Sequence, residues 1–156
     1  MVVKGRVLIE GEGAGPLLRL TAPLSFWGGV DPKTGKISDP RHPQHGQSIA
    51  RTVLALAEPR GSSSSSAIML ELIARGMAPA ALLLGQVDAI LTLGIVVARE
   101  MGHATLPALE VEPADLARLP EGQLRVNTDG VIASANPSPS RPALREGRAP
   151  PSPTSR

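Results

Sequence analysis

The residues best able to do chemistry are five consecutive serines at 62–66, directly behind Arg60 and Gly61. A hydroxyl at its ordinary acidity is a poor base. It works as one only where its surroundings favour negative charge on the oxygen. The flanking sequence supplies such surroundings. The apolar run TVLALA at 52–57 predicts a buried strand, and Ala67, Ile68, Met69, Leu70, Leu72 and Ile73 predict a helix over 67–75 that stops at Gly76. The serines therefore fall at a strand-to-helix turn, where the first N–H groups of the helix lack internal partners and the positive end of its dipole points outward. One serine is enough for an N-cap. Five after a glycine make a concave array of N–H and O–H donors, suited to an anion or to a serine oxygen that carries charge for a moment. Serine runs are otherwise linkers, but a linker does not usually separate a buried strand from an amphipathic helix.

Other candidates are thinner. His42 and His45 lie three apart in RHPQHG, and His103 stands alone. Two loop histidines need one or two further ligands to hold a metal, so their bland role is loop hydrogen bonding. Asp31 and Asp39 precede prolines, as turn initiators do. The glycines of GEGAGP at 11–16 are followed by no helix and match a phosphate loop weakly. There is no G-x-G-x-x-G, no P-loop ending in Gly-Lys-Ser/Thr and no G-x-S-x-G, and no base stands near the serines in sequence to complete a hydrolase triad.

The elements that must position the serine turn follow from hydrophobic patterning. Residues 2–9 alternate around Val3, Val7 and Ile9 and predict one strand; 17–20 predict a second and 24–27 a short third. Residues 28–49 form a long, polar, proline-rich loop, a length that inside a small domain points to a lid or binding loop. Gly28 and Gly29 would be its flexible entry, and His45 with Gly46 would pack near the serines. Beyond the helix, 80–84 predict a buried strand, 88–91 a further strand, 95–101 a short helix, 105–111 a strand and 113–119 a helix opened by Pro113. The pairs 124–127 and 131–133 predict a hairpin around Asp129-Gly130. Strands alternating with short helices give the α/β class, with a mixed sheet.

Composition bounds the rest. The chain has 156 residues, of which 42% are apolar but only 1% aromatic, so its core is aliphatic. No run of 18 apolar residues occurs and the N-terminus is not a signal peptide, which leads to the expectation of a cytoplasmic protein without membrane association. Zero cysteines leave no disulfide framework and no thiolate ligands for an iron–sulfur cluster. The segment 135–156 carries four arginines and one glutamate, leaving 12 basic and 13 acidic residues in 1–134. The folded part is thus near neutral, which argues against a nucleic-acid partner. Six prolines with Ser and Arg predict that 135–156 is a disordered tail behind a domain at 1–134.

The segments WGGVDP-x-TG, HP-x-HG-x-SI, RGS-x-x-x-S, APAALLL and LGIVVA occur in this order between residues 27 and 98. In order and spacing they resemble the small, swivelling-domain subunit of aconitase X, over roughly residues 3–134. The resemblance implies a swivelling β/β/α domain. It also implies a large catalytic subunit as partner, carrying an iron or iron–sulfur centre, with no cofactor bound by this chain. The implied activity is dehydration of a small hydroxy acid, first cis-3-hydroxy-L-proline and second mevalonate 5-phosphate. In the wider superfamily the swivelling domain provides a serine base from a Gly-Ser-Ser-Arg turn. By that likeness Ser62 is the proton acceptor, and Gly61, Ser63, Ser64, Ser66, Gly28, Gly29 and His45 contribute to substrate binding. Ser64 stands where that turn has arginine, a departure that removes a carboxylate clamp and favours a smaller acid. A non-catalytic, anion-binding regulatory domain is the alternative from another class.

Overall fold

A computed structural model describes residues 2–135. Eight strands form one sheet: β1 (Val2–Lys4), β2 (Arg6–Ile9), β3 (Gly13–Arg19), β4 (Val53–Leu56), β5 (Ala81–Leu84), β6 (Ala108–Glu110), β7 (Gln123–Val126) and β8 (Val131–Ser134). Their spatial order is β1-β8-β7-β3-β4-β5-β6-β2. The run β3 to β6 is parallel and the remaining pairs are antiparallel. Parallel neighbours require crossovers: the long segment between β3 and β4 makes the first, and two helices make the others, α2 (Ser65–Ala74) between β4 and β5 and α3 (Ala89–Glu100) between β5 and β6. The tight turn α1 (Phe26–Gly29) and the short α4 (Pro113–Arg118) complete the elements.

The expected single strand at 2–9 is two strands on opposite edges of the sheet. β1 pairs with β8 and β2 with β6, so the chain closes the sheet on itself at Gly5. Gly5 donates its N–H to the Gly130 carbonyl at 2.9 Å, and a Cβ there would come within 3.0 Å of the Glu110 carbonyl, Leu109 and Val111. Only a residue without a side chain lets both neighbouring strands approach so closely.

Alternation along the central strands divides the core in two. Val53, Ala55, Ala81 and Leu83 face inward with Val3, Leu109, Leu124, Val126 and Ile132, under Leu116 and Leu119 near α4. Leu54, Leu56, Leu82 and Leu84 face outward against Met69 and Leu72 of α2 and Leu91, Ile95 and Ala98 of α3. The two helices touch closely at Gly94, where a Cβ would lie 2.5 Å from the Ser66 carbonyl oxygen.

Several expected boundaries shift. Residues 88–91 are not a strand: Asp88 caps α3, its Oδ1 accepting from the N–H groups of Ile90 and Leu91 at 3.0 Å each. The apolar Ile-Leu run and Gly94 masked one continuous helix, and Gly94 is tolerated inside it because α2 packs there. The expected strand at 24–27 reduces to a bridge from Leu24 to Pro59 followed by α1, whose Trp27 and Gly28 have non-helical dihedrals. β3 starts earlier than expected and includes Gly13 and Gly15, because any Cβ there would strike the carbonyl oxygens of Ala80 and Arg51. The expected tail lies outside the described residues except for Ala135, whose N–H bonds the Gln123 carbonyl at 2.8 Å. Among the described residues, no helix is long and apolar enough to cross a membrane.

Candidate functional site

The serine turn links β4 to α2. The chain leaves β4 at Leu56, and the Arg60 N–H bonds the Leu24 carbonyl at 3.1 Å beside the Leu24–Pro59 bridge. The turn is thereby tied to the segment that opens α1. The Ser65 N–H then donates to the Ser62 carbonyl at 3.0 Å, and the Ser64 N–H to Ser62 Oγ at 3.3 Å. α2 begins at Ser65, two residues earlier than expected. Ser64, at the N-cap, makes no side-chain capping bond. The expected capping hydroxyl is therefore absent, and the helix N-terminus is left to bond what approaches it.

The serines differ in environment. Ser63 and Gly61 are exposed, and Ser62, Ser64 and Ser66 are half-buried. Ser65 is 1% exposed, and its Oγ has no hydrogen-bond partner among the described residues. Nothing in the sequence singled it out, because a repeated residue gives no sign of which copy turns inward.

A cleft of about 860 Å³ opens beside the turn. Gly28 and Gly29 line it, as do Trp27, Arg60 and the 39–43 segment. Gly28 has φ +73°, with nothing within 4 Å of the place a Cβ would occupy, so this wall is bare backbone. Of the expected binding residues, the structure brings these two glycines to the cleft. His45 is exposed and does not line it; His42 does. The Gln44 N–H donates to His42 Nδ1 at 3.0 Å, which puts the proton on Nε2, 3.2 Å from the Ala22 carbonyl. With both nitrogens engaged, His42 is a structural residue. Among the described residues no group of three His, Asp or Glu could hold a metal ion.

The 28–49 loop is knitted, not an open polar lid. Val30, Ile37 and Ile49 are buried, the Ile37 N–H bonds the Gln47 carbonyl, and the Ile49 N–H bonds the Gly35 carbonyl. Gln44 fastens it to the end of β3, donating to the Arg19 carbonyl at 2.9 Å and accepting from the Thr21 N–H at 3.0 Å. Apolar residues spaced far apart in a polar loop carry no period, so this anchoring was not legible. Asp39 closes the turn at the cleft wall: its Oδ1 accepts from the Arg41 N–H at 2.9 Å, and the Arg41 guanidinium lies 3.5 Å away. That N–H, helped by the guanidinium and His42, holds the carboxyl below its ordinary value.

Residues 2–133 match the aconitase X swivel domain. The chain is 40% identical over 131 residues to a cis-3-hydroxy-L-proline dehydratase of Pseudomonas aeruginosa, covering 80% of this chain and 23% of that protein. It is 36% identical over 129 residues to the phosphomevalonate dehydratase small subunit of Methanothermobacter thermautotrophicus, covering 83% of this chain and 94% of that one. The fold superposes on Thermococcus kodakaraensis aconitase X with a TM-score of 0.76 and 29% identity, over 87% of this chain and 99% of that chain. The chain thus spans about a fifth of the length of the cis-3-hydroxy-L-proline dehydratases it matches.

Proposed function

The chain belongs to the aconitase X swivel-domain family, and from that premise we propose that it is the small subunit of a hydro-lyase acting on a small hydroxy acid. The observation that carries the proposal is Ser62, a half-buried hydroxyl at the uncapped N-terminus of a ten-residue helix. Dehydration removes a proton from the carbon beside the carboxylate and a hydroxyl from the next carbon, leaving a double bond and water. Ser62 Oγ accepts the proton. The Ser64 N–H already points at this oxygen, and the dipole of α2 stabilises charge there. A cation contributed across the subunit boundary favours the charged oxygen further. Gly61, Ser63, Ser64 and Ser66 surround the reacting atoms with donors, and Gly28 and Gly29 admit the substrate to the cleft.

The residues of this chain do not fit an iron–sulfur cluster, since it has no cysteine. In the proposal that centre belongs to a large catalytic subunit. Such a partner also accounts for relatives of which this chain matches only 23%: there the remaining length is covalently attached.

We put cis-3-hydroxy-L-proline first, on the 40% identity to the bacterial enzyme. Mevalonate 5-phosphate is second, favoured by relatives that are separate small chains of nearly the same extent. Both carry a hydroxyl on the second carbon from a carboxylate, so one proton acceptor serves either. Co-expression with the large chain of the same source, followed by assay on both compounds, tests the proposal. Turnover of one supports it; an assembled pair that dehydrates neither overturns it.

A further inference from the structure

We infer that Arg60 binds the substrate's carboxylate, and that the cleft beside the serine turn is the seat of that acid group. The inference rests on the dehydratase proposal and deepens it, by naming a residue that the serine turn itself does not contain. The carbon that gives up its proton is bonded directly to the carboxylate, so the cation that holds the carboxylate must sit close to Ser62. Arg60 is two residues away, exposed, and lines the cleft. Its backbone is held in place by the bond to the Leu24 carbonyl.

The other charged groups of the cleft, and its histidine, are engaged. Arg41 is paired with Asp39, and both nitrogens of His42 are bonded. Among the described residues, no carboxylate lies within ion-pair distance of Arg60, so its guanidinium fork is available for two parallel bonds to an anion. The bare backbone at Gly28 and the 59% exposed Trp27 give a small acid a polar and an apolar wall. Among the described residues Arg60 is the one cation of the cleft without a carboxylate partner and the serine turn carries none, so the cleft fits one acid group and not the several of a tricarboxylate.

The test is steady-state kinetics of the assembled enzyme as wild type, Arg60→Gln and Arg60→Lys, on cis-3-hydroxy-L-proline and on mevalonate 5-phosphate. A lost charge-assisted pair raises KM by about tenfold or more in Arg60→Gln. Arg60→Lys recovers part of that, while co-purification and melting temperature stay at wild-type values because Arg60 has no ion-pair partner to lose among the described residues. A wild-type KM in Arg60→Gln refutes the inference alone. So does a KM increase confined to mevalonate 5-phosphate when both compounds are turned over, since the bound group would then be the phosphate. A wild-type pair inactive on both compounds refutes the dehydratase proposal, and the inference with it.

Discussion

Ser62→Ala, compared with Ser65→Ala in the assembled enzyme, separates proton transfer from structural roles of the serine turn. A positioned proton acceptor contributes roughly 10²–10⁴ in rate, or about 3–5 kcal/mol in the barrier. The stability lost with the Ser62 hydroxyl is small, because its one bond among the described residues, from the Ser64 N–H, is long at 3.3 Å. It should cost no more than about 1 kcal/mol, which for a domain of this size is roughly 3–5 °C in melting temperature. Ser65 is the opposite case. Its hydroxyl is buried without a partner, a condition that costs on the order of 1–3 kcal/mol, and alanine is the better helix former. Ser65→Ala should therefore melt at or above the wild-type temperature and keep turnover within a few-fold. Turnover at saturating substrate and scanning calorimetry on all three proteins suffice. Near-normal turnover in Ser62→Ala, or an equal loss in Ser65→Ala, would move the proton acceptor off Ser62. A clear drop in the Ser65→Ala melting temperature would show that its hydroxyl is satisfied in the assembled protein.

Three further outcomes are expected. Gly94→Ala places a Cβ 2.5 Å from the Ser66 carbonyl oxygen, so α2 and α3 must separate; we expect a loss of about 1–3 kcal/mol by thermal melting and a lowered rate, since α2 carries the serines, and an unchanged melting temperature would contradict the close helix contact. The Asp39 carboxyl, held below its ordinary 3.8 mainly by the Arg41 N–H, stabilises the 39–43 turn above that pH, and the contribution is lost as pH falls through the lowered folded-state value; an NMR titration midpoint at or above 3.8 would contradict this. The knitted 28–49 loop should resist limited proteolysis with or without partner and substrate, and fast cleavage between residues 30 and 49 in the free chain would show that its hydrogen bonds do not hold.

Much of the site was legible because its signals are local. A buried strand, a glycine, a serine run and an apolar helix stand in immediate succession, and short-range rules suffice to put the serines at a helix N-terminus. The same holds for the hairpin around Asp129-Gly130 and for the buried runs at 53–56 and 81–84, since composition and period are properties of a few neighbouring residues. The order of the family's motifs likewise gave the swivelling-domain fold, which the match over residues 2–133 and the superposition on aconitase X bear out.

What the tertiary structure alone decided involves contacts between residues far apart in the chain. Gly5 reads as one small residue in an alternating run, yet it is where the sheet closes, because β6 and β8 approach it from two sides. Gly94 reads as a helix breaker, and packing against Ser66 retains it inside α3. Five identical serines cannot announce that Ser65 points inward while Ser62 remains partly open to solvent; the rotation of α2 against Met69, Leu72 and the sheet sets that. Arg60 could not be matched to a cleft until Leu24 and the 39–43 turn were folded against it, since local sequence carries no record of a pocket built from three separated segments.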